Sequence, residues 1–325
     1  MRALVRDLTT RAAPPGQWDD IGWLRTQGVE LAAGDVLDLP SFTRAATGCA
    51  VVFHTAAAIT PRARGVHPYD AFRIPNVDGT RNAIGAAERA GARLVQLSSV
   101  AVYGPKARYA GSGAPRDRVD ESMTLTPLPE HAFYARSKRE SEELVMRAHA
   151  EGRIWATAVR PDVIYGRRDR QFVPRIARLL RFGIGPVVDG GHTTLAIVHA
   201  ANVADGAVRA ATTPAAGGRA YNLANDYDVT LAEFLRLAGQ GLDRRVRIVS
   251  LPKWLVAGGL KAVKAVATLV SGGGLSVVSS ASLGLVTRNN PFTSERARRE
   301  LGWSPPVHPE TGVPDAFRWW RERRG

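Results

Sequence analysis

Short runs of consecutive apolar residues alternate with stretches of helical periodicity along the first half of the chain. Arg2–Val5, 29–31, 50–54, Arg93–Leu97 and 154–159 carry little polar interruption and predict buried β-strands. Between them, residues 74–90 and 131–148 repeat their apolar positions every three to four residues and predict amphipathic helices. Continuous apolar strands separated by helices imply a parallel sheet covered on both faces, that is, an α/β, doubly wound arrangement. Ligands of such sheets sit beyond the carboxyl ends of the strands. The residues to inspect are therefore Arg6-Asp7, Asp35-Val36, His54 to Ala58, Ser98-Ser99 and Arg160-Pro161.

After about residue 165 the alternation weakens. Helices are predicted over 172–182 and 231–242, with a short one at Glu295–Leu301, framed by a cap at Ser294 and a stop at Gly302, and a last one ending near Arg323. The expected organisation is a nucleotide-binding Rossmann-like domain over 1–165. A smaller substrate-binding lid follows over 166–325, from which about 195–225 returns to the sheet. No internal repeat and no low-complexity linker interrupts the chain.

Composition narrows the class. The 325 residues, 45% of them apolar, suffice for one large α/β domain with an appendage or for two domains. The single cysteine, Cys49, excludes an intramolecular disulfide and any multi-cysteine metal site, and points to a reducing, cytoplasmic setting. Met1 to Asp7 has only a short apolar core flanked by charge, unlike a secretory signal. The net charge of +14 is mostly scattered; its tighter clusters are Arg167 to Arg181 and Arg318 to Arg324. Without a nucleic-acid motif these read as solvated helix faces or a phosphate pocket, and no nucleic-acid partner is expected. The uncharged stretch 265–286 could lie against a bilayer or line an apolar pocket; its Gly272-Gly273-Gly274 argues against one spanning helix.

The candidate chemistry centres on Tyr134 and Lys138, four apart on a predicted helix and so on one face. An ammonium close to a phenol favours the phenolate, which predicts a Tyr134 pKa pulled down toward neutrality. Ser99, leaving a strand end, can bond the same substrate oxygen, and together the three could stabilise an alkoxide as hydride leaves or arrives. His54 and His199 read as structural hydrogen-bonding residues, no metal site is expected, and Cys49 has no paired base.

The pair stands among ordered neighbours: Asp35-Val36, His54 to Ala58, Asn76-Val77-Asp78-Gly79-Thr80, Ser98 to Gly104, Tyr134 to Lys138, Arg160 to Gly166, Val198 to Ala204, Tyr221 to Ala224 and Phe292 to Trp303. In these elements the chain resembles the extended short-chain dehydrogenase/reductase (NAD-dependent epimerase/dehydratase) family. Within it, the chain looks closest to the branch of 3-beta-hydroxysteroid dehydrogenases and dihydroflavonol reductases. The resemblance implies Tyr134 as catalytic acid/base, Lys138 as the residue that binds the nicotinamide ribose, and Ser99 as the group that polarises the carbonyl. It also places Arg6, Asp35, Val36, Ala56, Ala57, Pro161 and Val163 against the cofactor, and implies pairing into a homodimer through helices beside the site. Arg6, where the family chooses between cofactors, can pair with a 2′-phosphate and so favours NADP over NAD.

The family's first strand and glycine-rich turn belong ahead of Arg2, and this sequence starts at what matches the second strand. The expectation is a start lying further upstream, with a natural loss of cofactor binding as the competing account. For the chain as written, weak or absent nicotinamide binding is expected, and micromolar affinity in an NADPH titration would refute this. The activity expected of the family member is interconversion of a secondary alcohol and a ketone on a bulky, hydrophobic, sterol-like or lipid-like substrate, suggested by the apolar 251–286. The alternatives are a nucleotide-sugar 4-epimerase, with the Arg167 to Arg181 cluster on the diphosphate, and a catalytically impaired binding protein. Val100-Ala101, where the family's dehydratases carry an Asp-Glu pair, disfavours dehydration.

Overall fold

Ten strands form among the described residues, and every pair of them is parallel. The computed structural model describes residues 1–9, 20–59, 65–104, 119–224, 227–252 and 289–323; almost all of the apolar stretch 251–286 lies outside them. β1 (Arg2–Val5) pairs with β2 (Glu30–Ala33). β3 (Val51–His54), β4 (Arg93–Leu97), β5 (Ala156–Pro161) and β9 (Ala220–Leu223) form a second sheet in that order. Two further pairs join β6 (Val163–Tyr165) to β8 (Ile197–His199) and β7 (Ile184–Val188) to β10 (Arg247–Leu251).

Strand alternation builds both layers of the core. Leu94 packs with Val52 and Ala156 beneath α2 (Leu39–Ala46), α4 (Gly79–Ala90) and α5 (Phe133–Ala150), through Phe42, Ala83, Ile84 and Val145. Its neighbour Val95 points the other way, to Val203, Ala207 and Ala210 on α7 (Ala200–Thr212) and Leu301 on α9 (Glu295–Leu301). Each such fully buried aliphatic side chain contributes roughly 1.5–3 kcal/mol. A third cluster joins α6 (Phe172–Leu179), α8 (Leu231–Gly241) and α10 (Pro309–Glu322) through Val173, Phe234, Leu235, Phe317 and Trp320.

Among the described strands, β1 bonds only to β2 and β3 only to β4, so the two sheets are joined by helices rather than by a ladder. Phe42 on α2 and Ile84 on α4 close the apolar layer across this junction, with Leu4 of β1 packed against it. Phe53, on β3, remains 43% exposed.

The predicted helix over 74–90 is interrupted at its start. α3 (Asp70–Arg73) runs into a π-turn at Ile74–Asp78 before α4 begins. Pro75 accounts for this, because its ring lacks an N–H and collides with the carbonyl four residues back. Such wide turns recur where a backbone must present a side chain to a site. Here the side chain presented is Asn76.

The Arg167 to Arg181 cluster does not form one anion pocket. Arg167 holds Asp315 through two hydrogen bonds of 2.7 and 2.6 Å. Arg168 and Arg170 both pair with Asp20, at the start of α1 (Asp20–Thr26), and the Arg168 guanidinium lies 4.5 Å from the centre of the Trp23 ring. These three cations tie α1 and α10 to the loop before α6. A sugar diphosphate at Arg167, Arg168 or Arg170 would have to displace these carboxylates.

Candidate active site

The strand ends converge because the helices behind them are cross-tied. Asn82 of α4 donates to the carbonyl of Val36, in the loop after β2, at 2.8 Å. Asn76 takes the backbone of Ala58, after β3, in a two-way clasp: the Ala58 amide donates to its Oδ1 at 2.6 Å and its Nδ2 donates to the Ala58 carbonyl at 3.1 Å. The same Nδ2 donates to Ser137 Oγ on α5, and Ser137 in turn donates to the Tyr134 carbonyl. Thr80 and Ser141 both donate to the Asn76 carbonyl. One buried asparagine thus fixes the Ala56-Ala57 turn relative to Tyr134. In the sequence only Pro75, directly before it, marks Asn76 as a residue at a break in the helix.

At the end of β4, Ser99 leaves the sheet as the cap of a short turn at Val100–Tyr103, its Oγ accepting from the Ala101 amide at 3.2 Å. The Ser99 hydroxyl lies near enough to Tyr134, at the start of α5, to act on its phenol. Lys138, one turn further on and only 3% exposed, donates from Nζ to the Leu97 carbonyl at the end of the same strand. The three candidate catalytic side chains are therefore gathered where β4 ends against α5.

Their electrostatics differ in one respect from the sequence expectation. Burial pushes the Tyr134 phenol above its ordinary value; the nearby Ser99 hydroxyl pulls it down and the Asp162 charge pushes it up. The reason is geometric, since the Lys138 amine is committed to the Leu97 carbonyl. Burial draws Lys138 itself down to about 8, against the opposing pull of the Glu142 carboxylate. In this state the phenol is the proton donor and the amine is close to its own titration point.

Beneath Lys138, His54 and Gln96 face each other across β3 and β4 in register, both buried, with Ser98 two residues on. His54 is drawn down to about 3 by burial and by the Lys138 charge, so it is neutral at pH 7. The unfolded chain takes up a proton near pH 6.5 that the folded protein refuses until about 3. Stability is therefore fully present above pH 6.5 and is lost as pH falls toward 3, by on the order of 5 kcal/mol from this group. Urea midpoints of the protein and of His54→Gln, measured across that window, should converge as pH falls; parallel curves would show that His54 carries none of the acid sensitivity.

His199 caps α7, its Nδ1 accepting from the Ala201 amide at 3.2 Å, and packs edge-on to Tyr165. The described residues contain no group of three or more His, Cys, Asp or Glu that could hold a metal.

The proposed cofactor residues lie at the expected strand ends. Arg6 is exposed beyond β1. Asp35 accepts from the Leu37 amide at 2.9 Å after β2, and Ala56 and Ala57 are exposed after β3. Pro161 closes β5 and Val163 opens β6. This set fits the two ends of a dinucleotide: a cation at the adenosine end, small exposed residues in the middle, and a Tyr-Lys pair at the other end. Among the described residues, no glycine-rich strand-to-helix turn stands between β1 and β3 to receive a pyrophosphate.

A second polar network locks α5 from behind. Arg160, at the end of β5, bonds both carboxylate oxygens of Glu142 and donates to Tyr103 Oη at 2.7 Å; Tyr103 donates to Asn222 of β9 at 2.9 Å. Glu121 accepts from the Asn222 amide at 2.6 Å. In the sequence Arg160 stands out only as a strand end, and nothing near Glu142 announces their pairing 18 residues apart.

Comparison with known proteins agrees with this geometry. Residues 5–224 match the model of the NAD dependent epimerase/dehydratase family. A 4-hydroxy-2-methyl-3-oxo-4-farnesyl-3,4-dihydroquinoline-1-oxide ketoreductase of Stigmatella aurantiaca is 31% identical, over 83% of this chain and 77% of its own. A 3beta-hydroxysteroid-dehydrogenase/decarboxylase of Arabidopsis thaliana is 26% identical over 89% of this chain, which spans about half (52%) of that enzyme's length. Among solved structures, that of RMD from Pseudomonas aeruginosa complexed with NADPH superposes with a TM-score of 0.64 at 17% identity, covering 99% of each chain, which is a likeness of fold. The chain belongs to the NAD-dependent epimerase/dehydratase family of extended short-chain dehydrogenases/reductases.

Proposed function

We propose that the protein is an NADP-preferring reductase or dehydrogenase that interconverts a secondary alcohol and a ketone on a bulky, hydrophobic substrate. The observation that carries this reading is the placement of Ser99 at the end of β4, of Tyr134 at the start of α5, and of Lys138 one helical turn further on with its amine at the Leu97 carbonyl of the same strand. Two adjacent hydroxyls at a strand end can both bond one carbonyl oxygen, which polarises it. The nicotinamide supplies or accepts the hydride. In the reductive direction Tyr134 gives its proton to the oxygen as the carbonyl becomes a carbinol, and the buried Lys138 ammonium stabilises the phenolate that remains. Val100, buried directly after Ser99, supplies no acid or base for elimination of water.

Hydrophobic substrates are the reading favoured by the farnesylated and steroid substrates in the names of the two relatives. The nucleotide-sugar alternative loses support, because Arg167, Arg168 and Arg170 are committed to Asp315 and Asp20. Cofactor preference rests on Arg6, whose exposed guanidinium suits a 2′-phosphate.

The test is oxidation of NADPH and of NADH with polycyclic and prenylated ketones, run on the chain as given and on a form extended by the residues encoded upstream of Met1. The extended form is expected to turn over such ketones with NADPH and residues 1–325 alone to do so weakly or not at all; in Arg6→Asp the preference should shift toward NADH by about tenfold or more, from the loss of a charge-assisted pair. Activity confined to uridine diphosphate sugars would overturn the substrate reading.

A further inference from the structure

The arginines of the Arg167 to Arg181 stretch that bind no carboxylate in the core lie beside an exposed apolar patch. Arg175 and Arg178 are exposed on α6, and Arg181 follows in the short turn Leu180–Phe182. Phe182 is 74% exposed, Leu179 46% and Ile184, the first residue of β7, 49%. Folding brings a second arginine group to the same place. Ile184 pairs in register with Arg247, whose amide donates to the Gly183 carbonyl at 2.8 Å, and Arg244 donates to the carbonyls of Leu180 and Arg181. Arg245 adjoins the same turn, its carbonyl 3.0 Å from where a Cβ on Gly183 would lie.

Residues 172–184 and 243–247 together carry six arginines and one carboxylate, Asp243, which faces Arg321 at 3.6 Å. The Arg181 guanidinium lies 4.5 Å from the centre of the Phe182 ring, so charge and ring stand side by side.

We infer that this surface docks on bilayers containing anionic phospholipids, with Leu179, Phe182 and Ile184 entering the headgroup boundary and the arginines meeting the phosphates. Three protruding side chains are too few for the roughly 1,000 Å² that a stable protein interface needs. Single-stranded nucleic acid is held by successive stacking aromatics, and here one ring is flanked by two aliphatic chains. Apolar tips ringed by arginine are the chemistry of an interfacial anchor. No helix among the described residues is long and apolar enough to cross a membrane. The inference is independent of the substrate proposed above.

The test is co-sedimentation of the full chain with vesicles of phosphatidylcholine alone and of phosphatidylcholine mixed with phosphatidylglycerol. The chain should sediment with the mixed vesicles at low salt, be released by raised salt, and stay in the supernatant with phosphatidylcholine. Phe182→Asp should weaken partitioning by about tenfold or more. The triple variant Arg178→Gln, Arg181→Gln, Arg245→Gln should weaken it by about fivefold per arginine. All four side chains are exposed, and unchanged circular dichroism melts would show that the fold is intact. Equal sedimentation with both vesicle types, none with the anionic ones, indifference to Phe182→Asp, or arginine-dependent binding of a single-stranded oligonucleotide without vesicle binding would each overturn the inference.

Discussion

Tyr134→Phe should abolish nearly all ketone reduction, lowering kcat by about 10²–10⁴ while leaving KM for the cofactor within a few-fold, the range for loss of a positioned proton donor. The phenol stands at the start of α5, beside Ser99 at the end of β4. Ser99→Ala should cost less, because the phenol can still donate alone. The pH profile carries a second signature. Lys138 titrates at about 8, so the reductive rate should fall as pH rises through that value, as the charge that stabilises the phenolate is lost. A Tyr134→Phe enzyme that keeps a tenth or more of its rate would require another acid.

Severing the Arg160–Glu142 pair should produce the largest change in stability. Both side chains are under a tenth exposed, and Arg160 grips both oxygens of the carboxylate. Removing either partner leaves an uncompensated buried charge, at a cost of about 3–5 kcal/mol. Glu142→Gln and Arg160→Met should each lose about that much in urea unfolding, whereas Glu142→Leu combined with Arg160→Met should lose far less than the sum. Glu142 also supports the charge on Lys138, so in Glu142→Gln the alkaline fall in rate should move to lower pH. Additive losses would show that the pair does not act as a unit.

What the sequence made legible and what it concealed follow from the range of the interactions. β4 was readable to the residue, because its three central positions are buried on both faces and leave no other period. β6, β7 and β10 were not: they are three to five residues long, and Gly185, Pro186 and Arg247 break any strand signature. The grouping of Ser99, Tyr134 and Lys138 was legible because each stands at the end of a strand or on one helix face.

Long-range commitments were concealed. Arg167 and Arg168 read as available cations, yet their partners Asp315 and Asp20 lie 148 residues away. The direction of the Tyr134 shift was likewise hidden, since it turns on which atom the Lys138 amine reaches. The length of the helix at 74–90 failed for a local reason, the ring of Pro75, that could have been read.

The central claim is that hydride passes to a carbonyl carbon held at the Ser99–Tyr134 pair. Reduction of a polycyclic ketone with NADPH deuterated at the transferring position of the nicotinamide ring, followed by mass spectrometry of the alcohol, tests it most directly. Deuterium at the carbinol carbon, formed by the protein and lost with Tyr134→Phe, is the expected result. An alcohol formed without deuterium, or with it at an undiminished rate in the variant, would contradict it.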